Sequence, residues 1–216
     1  MNKTIFVISG GVMDDIRFLY DEIRIAGDPV IICADGAAQR LKELDVVPDC
    51  IVGDMDSVDE KTLQYFEAKG SRIIRHSIDK DETDTQLALE CAFEMDPEEI
   101  RIFGALGGRI DHALANISLL VMCAKHGVET KIVDSDCELF IVTGSCVIDG
   151  REGDTVSLLP LSSDVKGITL EGFRYPLTDG TMEIGTPYGI SNRLAGTRGT
   201  ISVKSGYLLV IRQFGI

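Results

Sequence analysis

The 216 residues carry 35 acidic and 21 basic side chains, a formal charge of −14, with 44% hydrophobic and 26% charged residues. That length and balance describe a globular protein with ample material for one large packed unit or two small ones. The acidic surplus excludes a general nucleic-acid or anionic-membrane binder, which needs a basic face, so an anionic substrate would need cations placed locally.

The chain starts MNKTIFVISGGVMDD, in which a short apolar run meets Gly10 and Gly11 and then Asp14 and Asp15. This reads as a first strand and turn rather than a secretory leader. No apolar run reaches the ~18 residues of a bilayer span. Residues 14–26 then place Ile16, Leu19, Tyr20 and Ile23 on one helical face. The run PVIICA predicts a second strand ending in Asp35-Gly36, where a carboxylate either caps the next turn or holds a sugar hydroxyl or a metal's water.

DCIVGDMDSVDE predicts a third strand running out into Asp54 and Asp56. Residues two apart in an extended chain point to the same side, so Asp54 and Asp56 can aim together. Ser57 and Glu60 have the S-x-x-E spacing of a capping box for the helix that follows. After a strand at SRIIRH comes a second acidic knot, SIDKDETDTQLALECA, with Asp79, Asp81, Glu82 and Asp84 within six residues. Thr83 and Gln86 repeat the capping spacing, so Asp84 falls in the first turn of a helix with Leu87, Ala88, Cys91 and Met95 on one face, and Asp81 lies just outside it.

Acids near a helix start are stabilised by its dipole by ~0.3 to 1 kcal/mol, and that suffices for Asp59, Glu60 and Glu82. Asp54, Asp56 and Asp84 ask for more, because two separate clusters fall at strand-to-helix junctions of one sheet, where open α/β sheets bind ligands. Carboxylates gathered there suit Mg²⁺, a hard cation that completes its shell with water and substrate phosphates.

EIRIFGA predicts a fifth strand, and FGALGGRIDHALAN follows it. Gly104, Gly107 and Gly108 permit close backbone approach, Arg109 can grip phosphate with two donors, and the helix starting near Asp111 offers its amide end. Lys80 is a further cation. The plain reading of Gly107-Gly108 is a turn, and of His112 a packed or solvated side chain. The helix, with Leu114, Ile117, Val121 and Ala124 on one face, leads to a strand at TKIVDS. Neither a Walker A sequence nor G-x-G-x-x-G is present.

Near Ser135 the helical period stops. ELFIVTG, SCVIDG, DTVSLLP, ITLEG, FRYPL, TMEIG, GTISVKSG and YLLVIRQ are short strands between turns. The expected fold is therefore a mainly parallel, Rossmann-like α/β domain over 1–135 and an antiparallel β-sandwich over 136–216. The six cysteines are scattered without a C-x-x-C pair, as expected of free thiols in a reducing cytoplasm.

Together, ADGAA (34–38), PDCIVGDMDSV (48–58), DKDETDTQLAL (79–89), GALGGRIDHALAN (104–116), FRYPL (173–177) and GISN (189–192) resemble the thiamine pyrophosphokinase family. The resemblance implies an ATP- and Mg²⁺-binding catalytic domain, a thiamine-binding β domain, and a homodimer with its active site at the interface. It implies transfer of pyrophosphate from ATP to the thiamine hydroxyl, releasing AMP. On this sequence it implies Asp54, Asp56 and Asp84 as metal ligands. Asp35, Lys80, Asp81, Thr83, Gly107, Gly108 and Arg109 fall on the nucleotide and phosphate side, and Ser191 and Asn192 on the thiamine turn. Asp56 and Asp81 are both candidates to take the hydroxyl proton. With no Trp in the chain, an aromatic surface for thiamine must come from Phe173, Tyr175, Tyr188 or Tyr207.

Two other readings compete. DMDSV fits the D-x-D-x-[TV] of haloacid-dehalogenase-like phosphatases, with Asp54 as nucleophile, although that motif normally follows a first strand. A thiamine- or nucleotide-binding protein without turnover would keep the same residues.

Overall fold

The computed structural model describes residues 3–79 and 81–214. Lys80 lies outside the described residues. The chain divides into two compact units, Met1–Leu119 with Gly127–Asp134 and Leu120–His126 with Ser135–Ile216.

The first unit holds six strands, β1 (Thr4–Ile8), β2 (Val30–Ala34), β3 (Cys50–Gly53), β4 (Arg72–Arg75), β5 (Glu99–Phe103) and β6 (Glu129–Val133). Their order is β4-β3-β2-β1-β5-β6 and every pairing is parallel. Ile5 through Ile8 are all fully buried, as a strand covered on both faces requires. Because β1 lies between β2 and β5, the order reverses there, and the crevice outside the strands' carboxyl ends is the expected ligand position.

The intervening helices are α1 (Ile16–Ala26), α2 (Ala38–Glu43), α3 (Glu60–Ala68), α4 (Asp84–Phe93) and α5 (Ile110–Lys125). Phe6, Leu19, Leu41, Leu63, Phe66 and Phe103 fill the core beneath them, with the Phe6 and Phe103 rings 4.9 Å apart.

Local chemistry sets the helix starts. The Thr83 hydroxyl accepts the Gln86 amide at 3.2 Å, so the expected cap of α4 forms with Asp84 in its first turn. The Gln86 side chain turns instead to Glu90. At α3 the expected Ser57–Glu60 box does not form. Asp59 is the N-cap, its carboxylate taking the Thr62 amide at 3.0 Å and the Thr62 hydroxyl at 2.7 Å, while the Ser57 hydroxyl donates to Asp56 at 2.7 Å. A carboxylate that accepts two donors outcompetes a hydroxyl two residues earlier.

The second unit has eight strands, β7 (Cys137–Val142), β8 (Ser145–Asp149), β9 (Thr155–Pro160), β10 (Asp164–Glu171), β11 (Leu177–Glu183), β12 (Asn192–Arg193), β13 (Arg198–Ser202) and β14 (Leu208–Gln213). They form two antiparallel arrays, β12-β9-β14-β7 and β11-β10-β13-β8. Both arrays contribute to one core, including Val156, Leu158 and Val210 from one and Val165, Ile168 and Ile201 from the other. FRYPL, expected as a strand, is a single bridge from Phe173 to Leu194, then a bend over residues 174–175 before Leu177 opens β11. Pro176 has no amide to donate to a ladder, and the peptide groups of Tyr175 find a side-chain partner described below.

No described helix is long and apolar enough to cross a membrane. No disulfide joins the six cysteines, four of which are buried.

Candidate active site

The carboxyl ends of β1, β2, β3 and β5 each deliver one part of the site. After β1, the buried Ser9 shares a hydrogen bond with the Thr85 hydroxyl of α4 at 2.7 Å, and its amide donates to Phe103 O at 2.8 Å. Gly11 and Gly107 then let two turns interlock backbone against backbone. A Cβ on Gly11 would stand 2.4 Å from Gly104 O, and one on Gly107 would stand 1.9 Å from Val12 O. The Arg40 guanidinium of α2 donates to the Gly10 and Gly11 carbonyls, holding the first turn from behind.

Asp35 follows β2 directly and is 1% exposed. One of its carboxylate oxygens takes the Gly36 amide at 2.6 Å, and the other is buried without a hydrogen-bond partner. Gly53 makes room for it, since a Cβ there would lie 2.7 Å from Asp35 Cγ. Burial, then the charge of Asp84, push the Asp35 carboxyl above its ordinary range, with Asp54 adding to this and the Gly36 and Ser57 amides opposing it. A buried oxygen of this kind is costly unless something positive sits against it.

Asp54 and Asp56 do come together, but not through an extended chain. Met55 between them has φ 67°, and the Asp56 amide donates to the Asp54 carboxylate at 3.1 Å. The left-handed turn at a non-glycine residue costs of order 1–2 kcal/mol and is held by the burial of Met55 in the core. The result is a group in which Asp35, Asp54 and Asp56 each bring one oxygen to within 4.8 Å of the others. Its donors are all carboxylate oxygens, graded from buried to exposed, and one buried oxygen has no partner. Those properties fit a small hard divalent cation.

A pocket of about 350 Å³ lies beside this group, a volume suited to a small ligand. Asp35, Thr83 and Asp84 line one part of it, and Gly10, Gly11, Gly107, Gly108 and Arg109 another. Arg109 is exposed and pairs with Asp111 at 2.5 Å and 3.1 Å, which holds the Asp111 carboxyl down at about 2. The first turn of α5 follows directly, with the His112 amide donating to the Asp111 carboxylate at 3.0 Å and the Ala113 amide to Arg109 O at 3.1 Å. His112 also lines the pocket, as does Asn116, whose buried amide donates to Ala105 O at 2.8 Å and so ties α5 to the glycine turn. Asp81 is exposed and is not among the lining residues.

Ser191 and Asn192 belong to the second unit. Ser191 is exposed with φ 59°, its amide donating to the Ser157 hydroxyl at 3.0 Å. Asn192 is buried, and its side chain is occupied. Its oxygen accepts the amides of Tyr175 (3.0 Å) and Arg193 (2.8 Å), and its Nδ2 donates to Tyr175 O (2.8 Å).

Sequence reasoning gave no role to Thr85, Arg40, Asn116 or the Arg109 holder Asp111. Asp111 alone had a local signal, an acid two residues from a cation at a helix start. The others act on backbone or hydroxyl groups far along the chain. The phosphatase reading loses its premise, since DMDSV follows the third strand rather than the first.

A family model described as the catalytic domain of thiamin pyrophosphokinase matches residues 24–132, and one described as its vitamin B1 binding domain matches 145–208. The thiamine pyrophosphokinase of Bacillus subtilis is 33% identical over 98% of this chain and 99% of its own. Its crystal structure superposes with a TM-score of 0.87 at 31% identity, covering 99% of this chain and 100% of that one. The corresponding structure from Geobacillus thermodenitrificans gives 0.83 at 32% identity over 98% of each chain. The chain belongs to the thiamine pyrophosphokinase family.

Proposed function

We propose that this chain transfers the diphosphate group of ATP to the hydroxyethyl oxygen of thiamine, giving thiamine diphosphate and AMP. The observation that carries the reading is the partnerless buried oxygen of Asp35, set with Asp54 and Asp56 at the strand ends and beside a glycine-lined pocket holding Arg109. Family membership supplies the substrates, and the two readings weighed against it gain no support.

Asp35, Asp54 and Asp56 would hold Mg²⁺, and Asp84, lining the same pocket, adds to the acidic wall. Bound there, Mg²⁺ would neutralise phosphate charge and make the β-phosphorus a better electrophile. The chain's own groups do the rest. Gly10, Gly11, Gly107 and Gly108 would let backbone approach the phosphates without side chains in the way. Arg109, oriented by Asp111 until a phosphate competes for it, would stabilise charge growing on the transferred group, and positioning of this kind is most of what phosphoryl-type transfer needs. Asp56 or Asp81, both exposed, would take the hydroxyl proton. Thr83 and Ser9 act indirectly, by fixing the start of α4 that carries Asp84.

Thiamine recognition falls to the second unit, at the turn of Ser191. A homodimer with a shared site follows from family resemblance, and a cytoplasmic location accords with six free cysteines. The test is purified protein with ATP, Mg²⁺ and thiamine, with AMP and thiamine diphosphate separated by chromatography. The two products should form in equal amounts, only with all three components present. Phosphate release from a simple phosphoester without ATP would favour the phosphatase reading instead.

A further inference from the structure

Among the aromatic residues available to meet thiamine, the structure separates two from the rest. Phe173 is 4% exposed and part of the core, and Tyr207 stands outside the apolar pocket of the second unit. Tyr175 and Tyr188 line that pocket at 60% and 53% exposure. Its floor is aliphatic, made by the buried Leu158, Leu170 and Met182. Two large rings left in water around an apolar floor form a surface that wants a flat, partly apolar ligand.

Both rings are held by unusual contacts. Tyr175 sits in the 174–175 bend, where neither its N–H nor its C=O has a strand partner. The Asn192 side chain replaces that partner, accepting from Tyr175 N at 3.0 Å and donating to Tyr175 O at 2.8 Å. One carboxamide thus does for one peptide what a neighbouring strand would do. Tyr188 is fixed differently, its hydroxyl donating to Thr181 O. The Gly189 carbonyl after it accepts the Leu158 amide at 2.9 Å, so the loop is tied to the pocket floor.

Asn192 is 5% exposed, and its oxygen, which accepts two amides, and one of its two N–H donors are engaged with backbone. The Tyr175 ring already accepts a cation, with the Arg174 guanidinium carbon 5.8 Å from its centroid. Thiamine joins a flat heteroaromatic ring to a cationic one, and aromatic faces attract such cations.

Resting on the functional reading above, we propose that Tyr175 is the specificity-determining residue for the acceptor, its ring packing against thiamine. Asn192 is a positioning residue that acts only through Tyr175.

The test is steady-state kinetics of thiamine diphosphate formation, measuring KM for thiamine and for ATP in wild type, Tyr175→Phe, Tyr175→Ala, Asn192→Ala and the Tyr175→Ala/Asn192→Ala double variant. Tyr175→Phe should stay within about twofold of wild type, because the ring is kept. Tyr175→Ala should raise the thiamine KM about tenfold, the equivalent of ~1.4 kcal/mol of lost aromatic contact, with the ATP KM unchanged. Asn192→Ala should raise the thiamine KM similarly, and the double variant should be no worse than Tyr175→Ala. If Asn192→Ala fails to fold, Asn192→Asp keeps the shape and the acceptor while losing the donor to Tyr175 O, and serves in its place. An unchanged thiamine KM in Tyr175→Ala overturns the inference. Multiplying effects in the double variant overturn the indirect role of Asn192. A wild-type protein that makes no thiamine diphosphate overturns the functional reading and this inference with it, and that result is separate from the other two.

Discussion

Asp35 in the first unit and Asn192 in the second are buried almost equally, at 1% and 5% exposure, and both sit at the end or edge of a strand. Their polar atoms differ. Asp35 keeps an oxygen with no partner, whereas Asn192 gives its oxygen and nitrogen to backbone groups. A buried polar group left unsatisfied raises the free energy of the fold, so its persistence points to a ligand that completes it. A satisfied one points to a structural task. The contrast sets an unsatisfied buried acid in the first unit against a satisfied buried amide in the second.

The comparison extends to the units as a whole. In the parallel unit, strands such as β1 are buried along their length, and chemistry is confined to the turns at their carboxyl ends. In the antiparallel unit, strands such as β9 and β13 alternate between buried and partly exposed positions, and the pocket is an apolar cup rimmed by tyrosines. The first arrangement suits charged phosphates and a cation. The second suits a flat organic ring.

The largest predicted effect falls on the acid group. Asp54→Asn should lower the rate of product formation about 10²- to 10³-fold, as expected for a lost charge-stabilising group, with little change in Tm. Full activity in that variant would remove Asp54 from the chemistry. Next is Gly107→Ala, whose new Cβ meets the Val12 carbonyl. Overpacking of this kind costs about 1–3 kcal/mol, so thermal unfolding should shift down by several degrees and the ATP KM should rise. An unshifted Tm would show that the two turns are not interlocked.

The matched pair Asn192→Ala and Asp35→Asn tests the contrast itself. Asn192→Ala strands the two Tyr175 peptide groups and should destabilise by about 1–3 kcal/mol. Asp35→Asn keeps an acceptor for the Gly36 amide and removes a buried charge, so the metal-free protein should melt no lower than wild type while losing activity. Equal destabilisation by both would erase the distinction. The smallest effect belongs to Asp111→Asn. Its carboxyl is held at about 2 by the Arg109 hydrogen bond, so the pair's stabilisation is present above the ordinary carboxylate range near 3.9 and is lost as pH falls toward 2. Both side chains are more than 60% exposed, so solvent screens the pair, and Tm at pH 7 should move by less than about 2 °C. The ATP KM should rise modestly as Arg109 loses its holder.

Much of this was legible in the sequence, for physical reasons. β1, β2 and β3 announced themselves because a strand covered on both faces is apolar along its length, and β4, β5 and β6 showed as short β-rich runs interrupted by charged residues. The α4 cap followed from Thr83 and the turn geometry that any helix start requires. What stayed hidden depended on groups meeting across the fold. The six residues of α2 are too few to show a helical period, so Arg40 and its grip on the glycine turn were invisible. Asp35 joined Asp54 and Asp56 because Gly53 clears its path, a fact of packing rather than spacing. The left-handed Met55 replaced the extended geometry expected of the two acids. The sequence neighbours of Asn192 likewise do not reveal that the Tyr175 peptide lies against it.

The central claim is that Asp35, Asp54 and Asp56 form the seat for the activating cation. The most direct measurement is binding of Mn²⁺, as a spectroscopic substitute for Mg²⁺, by electron paramagnetic resonance with a non-hydrolysable ATP analogue present, in wild type, Asp35→Asn, Asp54→Asn and Asn192→Ala. The account predicts affinity at least about tenfold weaker in both aspartate variants and unchanged in Asn192→Ala. Equal affinity in all four proteins would contradict it.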